Sequence, residues 1–484
     1  MGLRRSLKSA HRHAHAHPLA HALAAALVIA AAVCGAGYHV TAANAATSAA
    51  ASEATIVVNV RLCGATGDGR HNDSAAVQRA ISRAAARPGS TVYLPAGVYY
   101  CPTRIRLSSH VNLRGDGMSV SWLMGHLDFG SRCTIYGLKI GAPKVSAVEN
   151  LGGANHTVFL GCRFRGGGGT GNDTAVVMLG SSSGSSRSLS HVTFSHCKIE
   201  RNLGVEDFSV NGGSGRRFND ISVYENPTAG GSSVTDLTFV DCHVGVSNGA
   251  RGHDTGSPRA DIEVWSGQGK VVQGWHHITI HGCTFEASDR FCIDLADGPA
   301  ANGRHLAGPA LIANNLIKGA GYGSGAHPWS YSICLEAPRN VTIRNNTIYA
   351  AADSTVCGSY GPASHTVIVD NRIDLTVNNG VHQSGDETVV LKGQRNVFER
   401  NVVKAGVSSG PLLYLKKTTG NRVAGNTFYG THTSDDLPMV LLRDACHNVI
   451  IDNLFSTTED STPRISVDGA SSANTLRRNR FRHH

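Results

Sequence analysis

Charged side chains are scarce in this sequence: Asp, Glu, Lys and Arg together make up 16% of its 484 residues. Long surface helices need a charged face, so a helical bundle is excluded as the main architecture. Aromatic residues are also few, at 6%. No lysine/arginine run with interleaved aromatics occurs. The net charge of +9 is spread along the chain, with much of it at the two ends. Nucleic acid is therefore not an expected partner. No C-x-x-C pair is present, which excludes the common structural zinc sites. What is abundant is glycine, with 56 residues, set between short apolar runs. That composition points to strands and turns.

The first 45 residues read as a signal peptide. Arg4, Arg5 and Lys8 form a positive start, residues 18–37 an apolar run, and Ala43-Asn44-Ala45 a cleavage site. The expected location is secreted, or membrane-anchored if this segment is retained. His11, His13, His15 and His17 alternate like a ligand set, but they fall in the segment to be removed. Residues 46–55 are a small-residue linker.

Residues 56–125 read as an N-terminal cap and first coils. They begin with a strand, a Gly-Asp-Gly turn, a helix with Ala76, Val77, Ala80 and Ile81 on one face, a Pro-Gly break and a second strand. Asp68 and Asp73 suit a turn and a helix cap. The matching residues are Asn59-Val60, Gly64-Ala65, Gly67-Asp68-Gly69, Asp73, Ala75-Ala76, Gln78, Ala80-Ile81, Val92-Tyr93-Leu94-Pro95-Ala96-Gly97 and Tyr99. In these the segment resembles the N-terminal module of the pectate-lyase-like superfamily. The resemblance implies a right-handed parallel β-helix whose end this module caps. It implies no single activity, since that superfamily includes lyases, hydrolases, epimerases and phage tail proteins.

From 126 to 484 one phrase recurs: apolar-x-apolar-x-x-(Cys/Asn)-x-apolar. Its marked residues are Cys162, Cys197, Cys242, Cys283, Asn315, Asn346, Asn371, Asn401, Asn426, Asn453 and Asn479, spaced 25 to 45 residues apart. That is a solenoid signature, and predicts an all-β, single-stranded parallel β-helix of about 11–13 coils. Asparagines at one turn would bond along the stack as a ladder, and the four cysteines would form a buried stack. Cys292, Cys334 and Cys357 are expected to form a second column, and a Cys63–Cys101 disulfide is conceivable. Long loops are expected within 165–260 and at 320–331, framing a groove.

A second phrase, apolar then carboxylate, precedes several rungs: DIE (261–263), CID (292–294) and CLE (334–336). Strand alternation sets Ala260, Ile262 and Val264 inward and Asp261, Glu263 and Trp265 outward. It likewise sets Phe291, Ile293 and Leu295 inward, with Arg290, Cys292 and Asp294 outside. Glu263, Asp294 and Glu336 would then form one acidic column with Tyr224 above it. The column changes sign at Lys392, Lys416 and Arg443 and ends at Asp468.

Stacked carboxylates need a shared proton or a cation. Two chemistries follow. In a glycosidase, Glu263, Asp294 and Glu336 supply the acid and the base or nucleophile. In a lyase, Asp261, Glu263, Asp294 and Glu336 would hold Ca²⁺ against a uronate, with Arg290 as base. Tyr224, Asp261, Trp265, Trp329 and Lys392 are candidate substrate-binding residues; Trp275, Tyr322 and Tyr331 could also stack on sugars. The Asn-Thr-Asp, Asp-Asp, Gly-His-Gly and Arg-Ile-Lys set of the polygalacturonase family is missing, as is the Tyr-Gly-apolar-Asp-Pro-His of alginate epimerases. The expectation is an exported enzyme that cleaves an acidic polysaccharide by hydrolysis or β-elimination. The alternative is a non-catalytic glycan-binding or cell-surface β-helix.

Overall fold

The computed structural model describes residues 54–150, 153–167, 173–180, 188–202, 217–225, 233–246, 260–266, 274–286, 288, 291–297, 306–319, 330–349, 354–374, 388–408, 411–432, 438–457 and 464–483. Every inter-strand pairing among these is parallel. Fifteen strands, from Val57–Asn59 to Thr475–Arg477, form one sheet. The other 26 fall into two series. One holds short strands such as Arg163–Phe164 and Thr284–Phe285; the other holds longer strands such as Ala260–Ser266 and Phe291–Asp297. The chain is thus a three-faced parallel β-helix. The stretch 165–260, expected to be rich in loops, itself contributes strands to all three faces, including Leu189–Ser195, Lys198–Glu200 and Arg217–Glu225.

The cap forms as its pattern predicts. The helix Ser74–Ala85 buries Ala76, Val77, Ala80, Ile81 and Ala84 against the first coil. Asp68 accepts the Arg70 and His71 backbone N–H groups, closing a turn. Asp73 sits at the N-cap, but its carboxylate bonds the N–H groups of Thr66 (2.7 Å) and Gly67 (3.0 Å) instead of the helix.

The asparagine ladder is present. Asn401 Oδ1 accepts the backbone and side-chain N–H of Asn371, each at 3.0 Å, while Asn401 Nδ2 donates to Ile368 O at 2.9 Å. The cysteines make half of this arrangement: Cys162, Cys197 and Cys242 Sγ each reach the carbonyl one rung back, at 3.4–3.5 Å. The residue before each ladder position takes the left-handed conformation, as at Asn314, Asn345, Asp370, Arg400, Asp452 and Arg478. After glycine, which stands there at Gly161, Gly282 and Gly425, asparagine and aspartate tolerate that region best, which explains part of the repeat's composition. A second ladder, Asn396–Asn421–Asn448–Asn474, runs along another turn and was not apparent in the repeat phrase. Cys63 and Cys101 are both free thiols, and burial pushes Cys101 up to about 12.

Inside, phenylalanines stack from rung to rung. Phe159, Phe194 and Phe239 lie face to face with centroids 4.6 and 5.1 Å apart. Each coil has no core of its own, so burial depends on its neighbours.

Candidate active site

The candidate site lies on the outer side of four long strands: Arg217–Glu225, Ala260–Ser266, Phe291–Asp297 and Ser330–Glu336. Their register is set by the core pairs Ile221–Ile262–Ile293–Ile333 and Val223–Val264–Leu295–Leu335. Between those pairs one outward position remains. It holds Ser222, Glu263, Asp294 and Cys334.

The expected acidic column is therefore corrected. Glu336 aligns with Ala296, not with Asp294. The phrases CID and CLE look equivalent, but the buried Leu295–Leu335 pair aligns FCIDL with YSICL and displaces Glu336 by two residues. Tyr224 likewise aligns with Trp265 and not with Glu263. The three cysteines share no column either: Cys334 pairs with Asp294, and Cys357 with Ile333.

A second correction concerns alternation. Cys292 and Ile293 both belong to the main core, while Phe291 joins Ala260 and Cys334 in a separate outer cluster with Tyr331. Two successive residues thus face inward. Ala260 and Phe291 leave the core, and Cys292 enters it. Asp261 falls on the same inner position and leaves the candidate column. It is fully buried beside Asp220.

These two aspartates form a buried pair. Asp220 Oδ1 accepts the Asn202 N–H at 2.6 Å. Among the described residues, no hydrogen-bond donor reaches Asp220 Oδ2 or either Asp261 oxygen. Gly245 sits against the pair with a left-handed φ of 76°; a side chain there would come within 3.0 Å of Asp261 Oδ1. Burial pushes Asp220 up to about 7, opposed by the Asn202 N–H and Arg201. Burial and then the adjacent Asp220 hold Asp261 well above the usual carboxylate range.

The outer groups do come together. One ligand atom each from Asp294, Cys334 and Glu336 lies within 4.8 Å of the other two. Glu263, one rung from Asp294, accepts a hydrogen bond from Asn219 Nδ2, which also donates to Ser222 Oγ at 2.9 Å. Glu263 and Asp294 are each 1% exposed, whereas Glu336 and Trp265 are half-buried. Aromatic pairs flank Glu263 and Asp294 along the strand direction, and Glu336 stands in register with the second of them, Tyr224–Trp265. Phe291 and Tyr331 stack with centroids 6.1 Å apart, and Tyr224 meets Trp265 edge-on at 5.9 Å. Trp275 is no stacking platform, being fully buried with its Nε1 donating to Ala296 O at 2.9 Å. Arg290, Tyr322 and Trp329 lie outside the described residues.

Lys392 is half-buried and follows Leu391, as Glu336 follows Leu335. Leu391, Leu415 and Leu442 are in register, Lys416 aligns with Arg443, and Arg443 pairs with Asp468 at 2.9 Å. Lys416, Arg443 and Asp468 share one position, but the register shifts between Leu335 and Glu336, so Glu336 pairs with Gly361 and the acidic column does not run on into them.

Comparison with known proteins agrees with this architecture. Residues 57–289 match the family model described as Rhamnogalacturonase A/epimerase, pectate lyase-like. Residues 260–437 match the right handed beta helix region. This chain is a right-handed parallel β-helix, and its N-terminal part, residues 57–289, matches a pectate lyase-like family. The β-helix is similar to the A-module of the Azotobacter vinelandii mannuronan C-5 epimerase AlgE4, at 16% identity over 87% of this chain and 95% of that one, with a TM-score of 0.41. It is also similar to the DFA-IIIase of Arthrobacter chlorophenolicus A6, at 14% identity over 87% and 94%, with a TM-score of 0.42. PfbA, a surface adhesin of Streptococcus pneumoniae, is similar at 14% over 77% and 90%, with a TM-score of 0.38. None of these carries an activity over to the β-helix. No curated protein sequence matches it significantly.

Two partners were missed in the sequence. Asn219 and Asp220 could have been found, because NDISVY (219–224) and ADIEVW (260–265) align without a gap. The Phe291–Tyr331 platform could not, because it depends on the break in alternation. Among the described residues, Asp294, Cys334 and Glu336 are the group that could hold a metal. A thiolate with two carboxylates suits zinc or another transition metal, whereas Ca²⁺ takes six to eight oxygens. With Asp261 turned inward, the calcium set expected from the sequence loses an oxygen donor.

Proposed function

We propose that this β-helix is an exported carbohydrate-active enzyme that cleaves an acidic polysaccharide on the outer side of these four strands. The observation that carries the reading is the approach of Asp294 and Glu336 to within 4.8 Å, on strands that also carry two aromatic pairs. Paired carboxyl groups about 5–5.5 Å apart are the arrangement of retaining glycosidases. The half-buried Tyr224, Trp265 and Tyr331 would hold sugar rings beside the scissile bond.

Glu336, the half-exposed member, protonates the leaving glycosidic oxygen. Asp294 attacks the anomeric carbon, and the bond to the leaving oxygen breaks. Glu336, now ionised, takes a proton from water, which displaces Asp294 and releases the sugar. Glu263, fixed by Asn219, keeps the strand surface polar next to Asp294 and receives a sugar hydroxyl. Export is supported by the positive, apolar and Ala-Asn-Ala segments of residues 1–45.

The test is a screen of acidic and neutral polysaccharides with and without chelator. New reducing ends without unsaturation support hydrolysis. Unsaturated products would assign β-elimination instead, and binding without turnover on every polymer would assign a glycan-binding protein.

A further inference from the structure

A different face of the β-helix carries charge of one sign. The short strands Lys139–Ile140, Arg163–Phe164 and Lys198–Glu200 turn Ile140, Phe164 and Ile199 fully inward. The residues before these point outward and stack in register as Trp122, Lys139, Arg163, Lys198 and then His243. Cations on neighbouring rungs ~4.8 Å apart repel one another.

One carboxylate, Glu200, stands among them. It is fully buried, with Arg163 Nε at 2.6 Å, Arg165 Nε at 3.7 Å and Lys139 Nζ at 3.8 Å. Lys198, on the same strand as Glu200, is exposed. Four cations thus face one carboxylate, an excess of three positive charges. Among the described residues, neither Arg165 Nε nor Glu200 Oε2 has a hydrogen-bond partner. Burial draws Lys139 below its ordinary value even with Glu200 nearby. Beyond Lys198 the excess ends, because His243 and Lys318 both engage Glu286, at 2.6 and 2.8 Å.

We infer that the stripe Lys139–Arg163–Arg165–Lys198 binds a polyanionic glycan, seating its carboxylate or sulfate groups against the two arginines and Lys198. Arginine forks match such groups in geometry as well as charge. Single-stranded nucleic acid is disfavoured because it needs aromatic faces for its bases. The aromatic of this stripe, Trp122, is covered by Lys139 at 4.1 Å and donates its Nε1 to Gly141 O. That the ligand is an anion rests on this face alone; that it is a glycan rests on the proposed function.

The experiment measures retention of the full chain on immobilised polygalacturonate and on neutral dextran, at low and high salt, with oligo(dT) as competitor. The variants are an Arg165→Gln/Lys198→Gln pair and, separately, Arg83→Gln on the exposed side of the cap helix. Arg163→Gln is avoided because it would strip a buried carboxylate of its nearest partner. Wild type is expected to bind polygalacturonate in a salt-sensitive manner. The double variant should bind roughly tenfold more weakly with an unchanged circular dichroism spectrum. The Arg83→Gln variant should bind as wild type does. Unchanged binding by the double variant overturns the inference. So does equal retention on dextran, or displacement by oligo(dT) at lower concentration than by free polygalacturonate. Binding that depends on Arg165 and Lys198 without cleavage of any polymer would remove the catalytic reading and leave this one standing.

Discussion

Neutral pH should cost this β-helix stability through the Asp220–Asp261 pair. Asp220 is fully buried, and burial moves it from 3.8 to about 7. The folded chain therefore holds a proton that the unfolded chain has already lost above about pH 4. A raised carboxyl of this kind stabilises most fully below its unfolded value, and the contribution disappears as pH rises through about 7. About three pH units at ~1.36 kcal/mol each give roughly 4 kcal/mol between about pH 4 and pH 7. Asp261 is raised in the same direction and adds to the slope. Asp220→Asn should flatten much of it. The amide oxygen can still accept the Asn202 N–H, and the amide N–H₂ faces the Asp261 carboxylate. Urea denaturation measured at steps from about pH 4 to pH 8 reads the effect directly. Wild type should lose stability across this range, and the variant should match it near pH 5 and exceed it near pH 8. A wild-type profile that rises toward pH 8, or an equal slope in the variant, would refute the shared-proton reasoning.

Other outcomes follow from the site and the ladder. Asp294→Asn or Glu336→Gln should lower turnover on a cleaved polysaccharide by about 10²–10⁴-fold with the melting temperature little changed. Asn401→Ala removes the acceptor for both Asn371 N–H groups and the donor to Ile368 O, so thermal unfolding should show a loss of roughly 3 kcal/mol or more. Phe194→Ala opens a cavity between Phe159 and Phe239 and should cost about 3–5 kcal/mol in the same measurement. If Asp294, Cys334 and Glu336 take up zinc, calorimetry should show one ion per chain, with Cys334→Ala weakening it and calcium failing to compete.

The repeat was legible because it is local. Each ladder position needs an amide or thiol, each preceding residue must tolerate a left-handed backbone, and the flanking apolar residues alternate. Those demands recur within single coils, so periodic spelling reveals them. The cap helix was legible for the same reason, through its one apolar face. The carboxylates at Glu263 and Asp294 could be placed on adjacent rungs because one coil resembles the next closely.

What sequence alone determined, then, is the kind of fold, the order of its rungs, and the strands that carry acid; the expected 11–13 coils fell short of the fifteen strands stacked on one face. What only the tertiary structure decided is which acids meet. Pairing between coils follows the buried Ile–Ile and Leu–Leu contacts, and a break in alternation sends Asp261 and Cys292 inward while turning Phe291 outward. A shift of two residues or one inverted side chain leaves the spelling of a strand unchanged. It nevertheless moves a carboxylate from the surface to the core, because neighbouring coils, rather than the coil itself, supply the surroundings of every side chain in a solenoid.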